Sequence, residues 1–186
     1  MPNKFLAAAF AFLLLVSTNV KAEPDGFRAF DLPQHGSLQI TVPLTWNDQL
    51  SQRQEGLPPT ILFTPEHGHG FNVQIMPLWP RQEIAIPGLE EIRRLISKAA
   101  DDEKLLAVES DIPIHEIQGT SGDGYYFNVT YRVPKVDEFN QMTRGMLRVG
   151  ELVLAFTIFS SDGAETSMTQ ALTMLKSVRQ VAAVQH

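Results

Sequence analysis

The sequence predicts an α+β fold in which an antiparallel β-sheet of about six to seven strands is covered by two α-helices. Short segments of alternating apolar and polar residues, the pattern of half-buried strands, follow one another with only short turns between them. Strands joined by such short turns form antiparallel sheets. Two further segments have apolar residues at the three- and four-residue spacing of amphipathic helices. Because each apolar face must pack against another layer, these helices are expected to cover the sheet.

The first half of the chain contains three segments with a strand pattern: 37–44, 60–64 and 71–79. Pro43 limits the first of them, because proline has no N–H for a ladder hydrogen bond. The segment 66–70 contains two glycines and predicts a hairpin turn between the other two strands. Residues 47–58 are polar and contain glycine and proline, so this segment is predicted to be a loop.

The rest of the chain contains both predicted helices and four further strands: 108–118, 125–133, 142–149 and 152–159. The last of these strands is apolar on both faces, which predicts a central position in the sheet with a layer on each side. The first helix is predicted to begin at Leu89, with acidic residues early and basic residues later, as suits the helix dipole. The second helix is predicted to follow Asp162 as N-cap, with Glu165 as its capping-box partner.

Residues 1–22 have the organisation of a secretory signal peptide. Positive charge in the first four residues precedes the apolar run 5–16, and Val20-Lys21-Ala22 is a cleavage site of the small-x-small type. The apolar run is shorter than the ~20 residues that a membrane-spanning helix requires. We therefore expect cleavage after Ala22, no stable membrane insertion, and a periplasmic or secreted protein.

The remaining chain is predicted to form one domain with short additions at both ends. Residues 23–36 contain proline and glycine at short intervals without a sustained period, which indicates an N-terminal arm. The single α+β domain is predicted over residues 37–180. Residues 181–186 are mostly small or polar and form a predicted tail.

Composition and charge restrict the class of partner. The chain has 15 basic and 21 acidic residues, and the leader contains two of the bases, Lys4 and Lys21, and no acid. The chain after the leader therefore carries 13 bases against 21 acids, a net charge of −8. Neutralisation of phosphates dominates nucleic-acid affinity, so an acidic chain without a basic cluster is not expected to bind nucleic acid. The absence of cysteine excludes disulfides and thiolate chemistry.

The order of elements carries a resemblance to a known superfamily. A strand that ends in proline and is followed by tryptophan, Ile40-Thr41-Val42-Pro43-Leu44-Thr45-Trp46, opens the predicted domain. A hairpin, a mid-chain helix, a run of four strands and a C-terminal helix ending in Leu175-Lys176-Ser177-Val178 follow. Over roughly residues 36–180 the chain resembles the Mog1/PsbP-like superfamily. Its opening is similar to that of exported bacterial members whose function is unknown.

The resemblance implies a mostly non-enzymatic group of proteins. Its namesakes are a binder of a small nuclear GTPase and an extrinsic subunit of the photosynthetic oxygen-evolving complex. No functional residue of those proteins can be transferred to this chain, because no matching functional motif is present.

Three residues are predicted to contact a protein partner: Tyr126, Arg132 and Phe139. Tyr126 and Arg132 share one face of strand 125–133 with amide and hydroxyl side chains. This composition is typical of protein-recognition surfaces and equally of a solvated sheet face. Phe139 is an aromatic residue in a polar loop. These residues favour an exported, non-catalytic binding or accessory protein that associates with an envelope protein of unspecified identity.

An alternative function is metal or small-ligand binding by the predicted turn at 66–70. Glu66, His67 and His69 could supply two or three of the ligands that Zn²⁺ or Cu²⁺ prefer. The same residues equally fit a hairpin turn with solvated histidines. A divalent metal at this turn is the only cofactor that the sequence suggests. A hydrolase is a third alternative, but no catalytic residue is predicted, because no nucleophile motif or acid–base dyad is recognisable.

Overall fold

The computed structural model describes residues 25–52, 57–67, 70–80, 85–134 and 139–183. The predicted signal peptide at 1–22 and residues 184–186 of the predicted tail lie outside this part of the chain. The described residues form two helices, α1 (Leu89–Glu103) and α2 (Glu165–Lys176). They also form ten strands: β1 (Asp25–Leu32), β2 (Gly36–Pro43), β3 (Trp46–Ser51), β4 (Thr60–Pro65), β5 (Phe71–Leu78), β6 (His115–Gln118), β7 (Asp123–Thr130), β8 (Gln141–Val149), β9 (Leu152–Ser160) and β10 (Arg179–Val181).

The strands form two sheets. Seven of them make a larger sheet with the order β3-β4-β5-β9-β8-β7-β6, and the smaller sheet has the order β1-β2-β10. Every strand pair in both sheets is antiparallel. This arrangement confirms the predicted α+β class and the predicted size of the main sheet. The strand that is apolar on both faces, β9, occupies the middle of the larger sheet, as its composition indicates.

A large core lies between the larger sheet and a layer formed by the smaller sheet and α2. Phe63, Ile75 and Phe156 of the larger sheet, Ile40 of β2 and Leu175 of α2 are all buried in it. Burying a side chain of this size contributes about 1.5–3 kcal/mol. The smaller sheet is therefore an integral layer of the fold.

A smaller core lies on the opposite face of the larger sheet, beneath α1. Ile92 and Ile96 of α1 pack there with Phe127 and Val129 of β7 and Val153 of β9. The helix contacts β7 and β8, so it covers the half of the sheet that contains these strands. Neither of the helices in the described residues is long and apolar enough to span a membrane.

The segment predicted as an arm, 23–36, is in part a strand. Residues 25–32 form β1, which pairs along its whole length with β2. Phe30 and Leu32 are buried, whereas Phe27 is exposed and lies beneath the guanidinium of Arg179, 5.5 Å from its ring centroid. Because an exposed aromatic residue interrupts the apolar pattern, the sequence shows no clear strand period here.

Two further strands lie where the sequence predicts none. β3 occupies part of the predicted loop 47–58, and every residue of it after Trp46 is exposed. It lies at the edge of the larger sheet and pairs only with β4, so it lacks the buried face that produces alternation. β10 extends into the predicted tail at Val181. Because it has only three residues, it is too short to show a periodic pattern.

Candidate functional site

An apolar groove of about 520 Å³ opens at one end of the larger sheet. It lies where α1, β7 and β9 end, so its walls come from separate parts of the chain. The apolar groove is lined by Leu105, Leu106, Tyr131, Arg132, Val133, Pro134, Phe139 and Phe159.

The turn after α1 holds two leucines at the rim of the apolar groove. The N–H groups of Leu106 and Ala107 donate to the carbonyl oxygen of Glu103, at 2.9 and 3.1 Å. Ala107 is fully buried and forms a β-bridge with Tyr131, which anchors the turn. Leu105 and Leu106 consequently remain 89% and 59% exposed although both are apolar.

Val133 extends this exposed apolar rim, since it also lines the groove and is 87% exposed. Among the large apolar residues that the structure describes, Leu105 and Val133 are the two most exposed. Single exposed apolar residues are ordinary on protein surfaces, but a cluster of them beside a cavity is typical of surfaces that bind a protein, a ligand or a membrane. The rim of the apolar groove is such a cluster.

Among the described residues that line the groove, Arg132 is the one that carries a charge. Its backbone N–H donates to the carbonyl oxygen of Leu106 at 3.0 Å, and its Nε donates to the carbonyl oxygen of Ala107. No carboxylate of the described residues forms an ion pair with it. The backbone therefore holds the guanidinium in place, and no described carboxylate neutralises its charge.

Aromatic rings provide much of the apolar surface inside the groove. The rings of Phe139 and Phe159 stack with their centroids 5.6 Å apart and their planes 28° from parallel. The hydroxyl of Tyr131 donates to the sulfur of Met142 at 3.3 Å. Burial, and to a lesser degree the negative charge of Glu103, raises the pKa of Tyr131, so its hydroxyl stays neutral at neutral pH.

A second cavity, of about 300 Å³, lies between the larger sheet and α2, and we call it the polar cavity because a larger share of its lining is polar than in the groove. The polar cavity is lined by Tyr126, Asn128, Val129, Thr130, Gln141, Met142, Thr143, Met168 and Leu172. The hydroxyl of Thr143 donates to Oδ1 of Asn128 at 2.6 Å. The hydroxyl of Ser160 donates to Oε1 of Gln141 at 3.3 Å. Much of the polar surface in this cavity is therefore bonded within the protein.

Asp162, beside the polar cavity, does not cap α2 as predicted. Ala164 occupies the N-cap position, and no side chain makes a capping bond there. The carboxylate of Asp162 instead accepts hydrogen bonds from the side-chain amides of Asn140, at 2.8 Å, and Gln141, at 3.3 Å. These bonds tie the start of β8 to the connection that follows β9.

The structure brings together two of the three residues predicted to bind a partner. Arg132 and Phe139 both line the apolar groove, whereas Tyr126 lines the polar cavity. Tyr126 is half-buried against the large core, and its ring lies 5.1 Å from that of His115. β7 ends at Thr130, so the alternation that places Tyr126 and Arg132 on one face does not continue to Arg132. A role of these residues in binding stays a prediction.

Sequence reasoning does not find Leu105, Leu106 and Val133. A signal for the two leucines is present, because they directly follow the charged run 101–104 at which α1 ends. Apolar residues beyond the end of an amphipathic helix have no helix face on which to be buried. Val133 carries no comparable signal, since it continues the apolar alternation of a strand.

The predicted metal-binding turn follows β4. Glu66 and His67 are exposed, and the N–H of Glu66 donates to the carbonyl oxygen of Thr45 at 2.7 Å. His69 lies outside the described residues. Within the described ranges, no three His, Asp or Glu side chains are grouped so that they could hold a metal ion. Metal binding by Glu66, His67 and His69 therefore stays a prediction, as does the lack of catalytic residues.

Comparison with known proteins identifies the fold. No protein-family model matches the chain, and no curated protein is significantly similar to it. A crystal structure from Bacteroides thetaiotaomicron is 16% identical over 77% of this chain, which spans 45% of that protein, with a TM-score of 0.49. The solution structure of the cyanobacterial PsbP protein (CyanoP) from Synechocystis is 8% identical, with a TM-score of 0.50 over 88% of this chain and 96% of that one. The chain therefore has a PsbP-like fold, as the resemblance predicts.

Proposed function

We propose that this protein is a non-catalytic binding protein that associates with another protein of the cell envelope through the apolar groove. The observation that carries the proposal is the exposed apolar rim formed by Leu105, Leu106 and Val133. The predicted signal peptide at 1–22 supports an envelope location. The resemblance to a mostly non-enzymatic superfamily supports an accessory role.

The exposed rim gains free energy when a partner covers it. Complete burial of an exposed leucine or valine side chain contributes about 1.5–3 kcal/mol, and Leu105 and Val133 have nearly all of their surface left to bury. The turn that carries the two leucines is already anchored by the buried Ala107, so little conformational entropy is lost when a partner binds. A rigid apolar rim of this kind suits a protein partner.

The chemistry of the groove also suits recognition. Its described lining consists of aliphatic and aromatic side chains, one phenol and one guanidinium. Acid–base or nucleophilic catalysis commonly requires a carboxylate, imidazole, thiol or activated hydroxyl close to the substrate. The phenol of Tyr131, whose pKa is raised by burial, stays protonated and is a poor base at neutral pH.

A matched pair of charge substitutions tests the proposal. Leu106→Asp places a carboxylate at the rim of the groove, whereas Val108→Asp places one at a residue of equal exposure that does not line it, 58% against 59%. Both variants should fold, with free energies of unfolding within about 0.5 kcal/mol of the wild type, because exposed side chains contribute little to stability.

Each tagged variant is expressed in the native cell, and partners are recovered from a cross-linked envelope extract. We expect one stoichiometric partner with the wild type and with Val108→Asp. Recovery of the partner with Leu106→Asp should fall by a factor of about ten or more, because a charge replaces an apolar contact. Equal recovery with both variants, or no partner of the wild type, would contradict the proposal.

A further inference from the structure

We propose that the segment bound in the apolar groove is a short peptide in which one acidic residue stands beside apolar residues. Its carboxylate pairs with Arg132, and its apolar side chains contact the rim at Leu106 and Val133. This partner chemistry rests on the proposed function of the groove. It adds the charge and the composition of the segment that the groove accepts.

Arg132 presents a cation whose geometry selects a carboxylate. The Nε–H of Arg132 donates to the carbonyl oxygen of Ala107, and its backbone N–H donates to the carbonyl oxygen of Leu106. The Nε edge of the guanidinium is therefore fixed by the protein backbone. The described residues supply no hydrogen bond to its terminal NH₂ groups and no ion pair to its charge. A planar guanidinium with two parallel N–H groups binds a carboxylate in a bidentate manner, which adds geometric specificity to the attraction.

The charges of the described residues around the groove favour a single acidic group. The carboxylate of Glu103 and the guanidinium of Arg144 act in opposite directions on the hydroxyl of Tyr131, and Arg132 adds a second cation. The whole chain has a net charge of −6, but charges more than about 8 Å apart are largely screened at physiological ionic strength. One carboxylate can therefore pair with Arg132, whereas a long acidic tract would also reach the acidic residues elsewhere on the surface and be repelled by them.

The size of the groove and its rim favour a peptide over a lipid. A volume of about 520 Å³ accommodates a few side chains, within the range of about 300–1,000 Å³ for small-ligand sites. The stacked rings of Phe139 and Phe159 offer apolar contacts inside it. Leu105 and Val133 project into solvent around it, so an occupant must extend over the rim to cover them. A peptide has side chains for both places, whereas one acyl chain would leave the rim in water.

Peptide selection on the full-length protein tests the composition of the occupant. A random heptapeptide library on phage is selected with the wild type and counter-selected with Leu106→Asp, so that only peptides that need the groove are retained. We expect the retained peptides to be enriched in one Asp or Glu next to two or more apolar residues. Val108→Asp serves as the control and should bind the same peptides as the wild type.

A double-mutant cycle then tests the pairing with Arg132. The tightest peptide is synthesised with its acidic residue and with the corresponding amide. The amide should bind the wild type about five- to tenfold more weakly, as expected for loss of a partly exposed, charge-assisted hydrogen bond. Arg132→Gln should weaken the acidic peptide by the same factor and leave the amide peptide unaffected. Arg148→Gln changes an exposed arginine that does not line the groove and should affect neither peptide.

Any of four results would overturn the inference. Retained peptides without an enriched acid, or equal affinity of acidic and amide peptides, would refute the pairing with Arg132 and leave the proposed function standing. Failure to select any peptide that depends on Leu106 would refute the proposed function as well. Arg132-dependent binding of dodecanoate in the absence of such peptides would assign the groove to a lipid. Because the peptide change needs no protein variant, a folding defect of Arg132→Gln cannot obscure the result.

Discussion

The apolar groove and the polar cavity differ in how much of their surface is already paired within the protein, by hydrogen bonds, ion pairs or apolar contacts. In the polar cavity the hydroxyl of Thr143 bonds to the amide of Asn128 at 2.6 Å. In the apolar groove, Leu105 and Val133 stand almost entirely in water, and Arg132 has no counter-ion among the described residues. Both regions have a cavity, but among the described residues the groove has the larger apolar surface and the unpaired cation.

This difference indicates which region can gain free energy from a partner. A ligand in the polar cavity would have to replace hydrogen bonds that are already made, so its net gain would be small. A partner on the groove removes apolar surface from water and pairs a cation, at no cost in existing bonds. We therefore expect substitutions around the polar cavity to change stability and substitutions around the groove to change binding.

Gly145→Ala, next to the polar cavity, should have the largest effect. A Cβ at Gly145 would lie 2.3 Å from a ring carbon of Phe156 and 2.6 Å from the Cβ of Tyr126. Overpacking of this kind costs about 1–3 kcal/mol, which urea denaturation should show as a lower free energy of unfolding. Gly88→Ala is the control, because its new Cβ meets nothing within 4 Å and should cost less than about 1 kcal/mol. Equal effects of the two substitutions would contradict the packing beside the polar cavity.

Thr143→Val should have an intermediate effect that is again confined to stability. Thr143 is 2% exposed, and its hydroxyl is the donor to Asn128, so its removal should cost about 1 kcal/mol. Thr157→Val removes a hydroxyl that makes no hydrogen bond within the described residues and should cost less than about 0.5 kcal/mol. The affinity for a groove-dependent peptide should be unchanged in both variants. Weaker peptide binding by Thr143→Val would mean that the two regions are not independent.

Glu109→Gln should have the smallest effect, on the segment that carries the rim of the groove. A carboxylate oxygen of Glu109 accepts the N–H of Thr130 at 3.0 Å. Burial acts to raise the pKa of Glu109, but hydrogen bonds from the backbone of Thr130, from the backbone of Glu109 itself and from the Thr130 side chain together outweigh it and hold the pKa below the ordinary 4.5. Because the carboxylate is only partly buried, its contribution to stability should stay below about 1 kcal/mol.

The sign of the pH dependence follows from the lowered pKa of Glu109. A carboxyl whose pKa is lower in the folded state stabilises the fold above its unfolded pKa and loses this contribution as the pH falls through the folded value. The difference in free energy of unfolding between wild type and Glu109→Gln should therefore be present at about pH 7 and shrink as the pH falls below 4.5. A difference that grows in acid would show that this hydrogen bond does not hold the segment.

The fold could be predicted where one face of a helix or strand is buried and the other is exposed to solvent. β7 and α1 have such faces, and their apolar residues, such as Phe127, Ile92 and Ile96, recur at the strand and helix periods. β3 could not be predicted, because an exposed edge strand has no buried face. β1 was not predicted, because its apolar residue Phe27 is exposed. The ring of Phe27 contacts the guanidinium of Arg179 on the protein surface, so an apolar residue at this position does not indicate a buried one.

The candidate site could be predicted only in part, because the fold assembles it from distant segments. Arg132 and Phe139 stand out in the sequence as a charged and an aromatic residue near a predicted loop. Their proximity to Leu105 and Leu106 depends on the β-bridge between Ala107 and Tyr131, which no local pattern encodes. Tyr126 has the same sequence signal as Arg132 but lies in the polar cavity, because the strand ends between them.

Site-specific photocross-linking in the native cell can distinguish the two regions without assuming the identity of the partner. A benzophenone amino acid is placed either at Val133, in the apolar groove, or at Asn128, in the polar cavity; both side chains are exposed. We expect a discrete cross-linked partner from Val133 and only background from Asn128. A partner cross-linked from Asn128 and not from Val133 would contradict docking in the apolar groove.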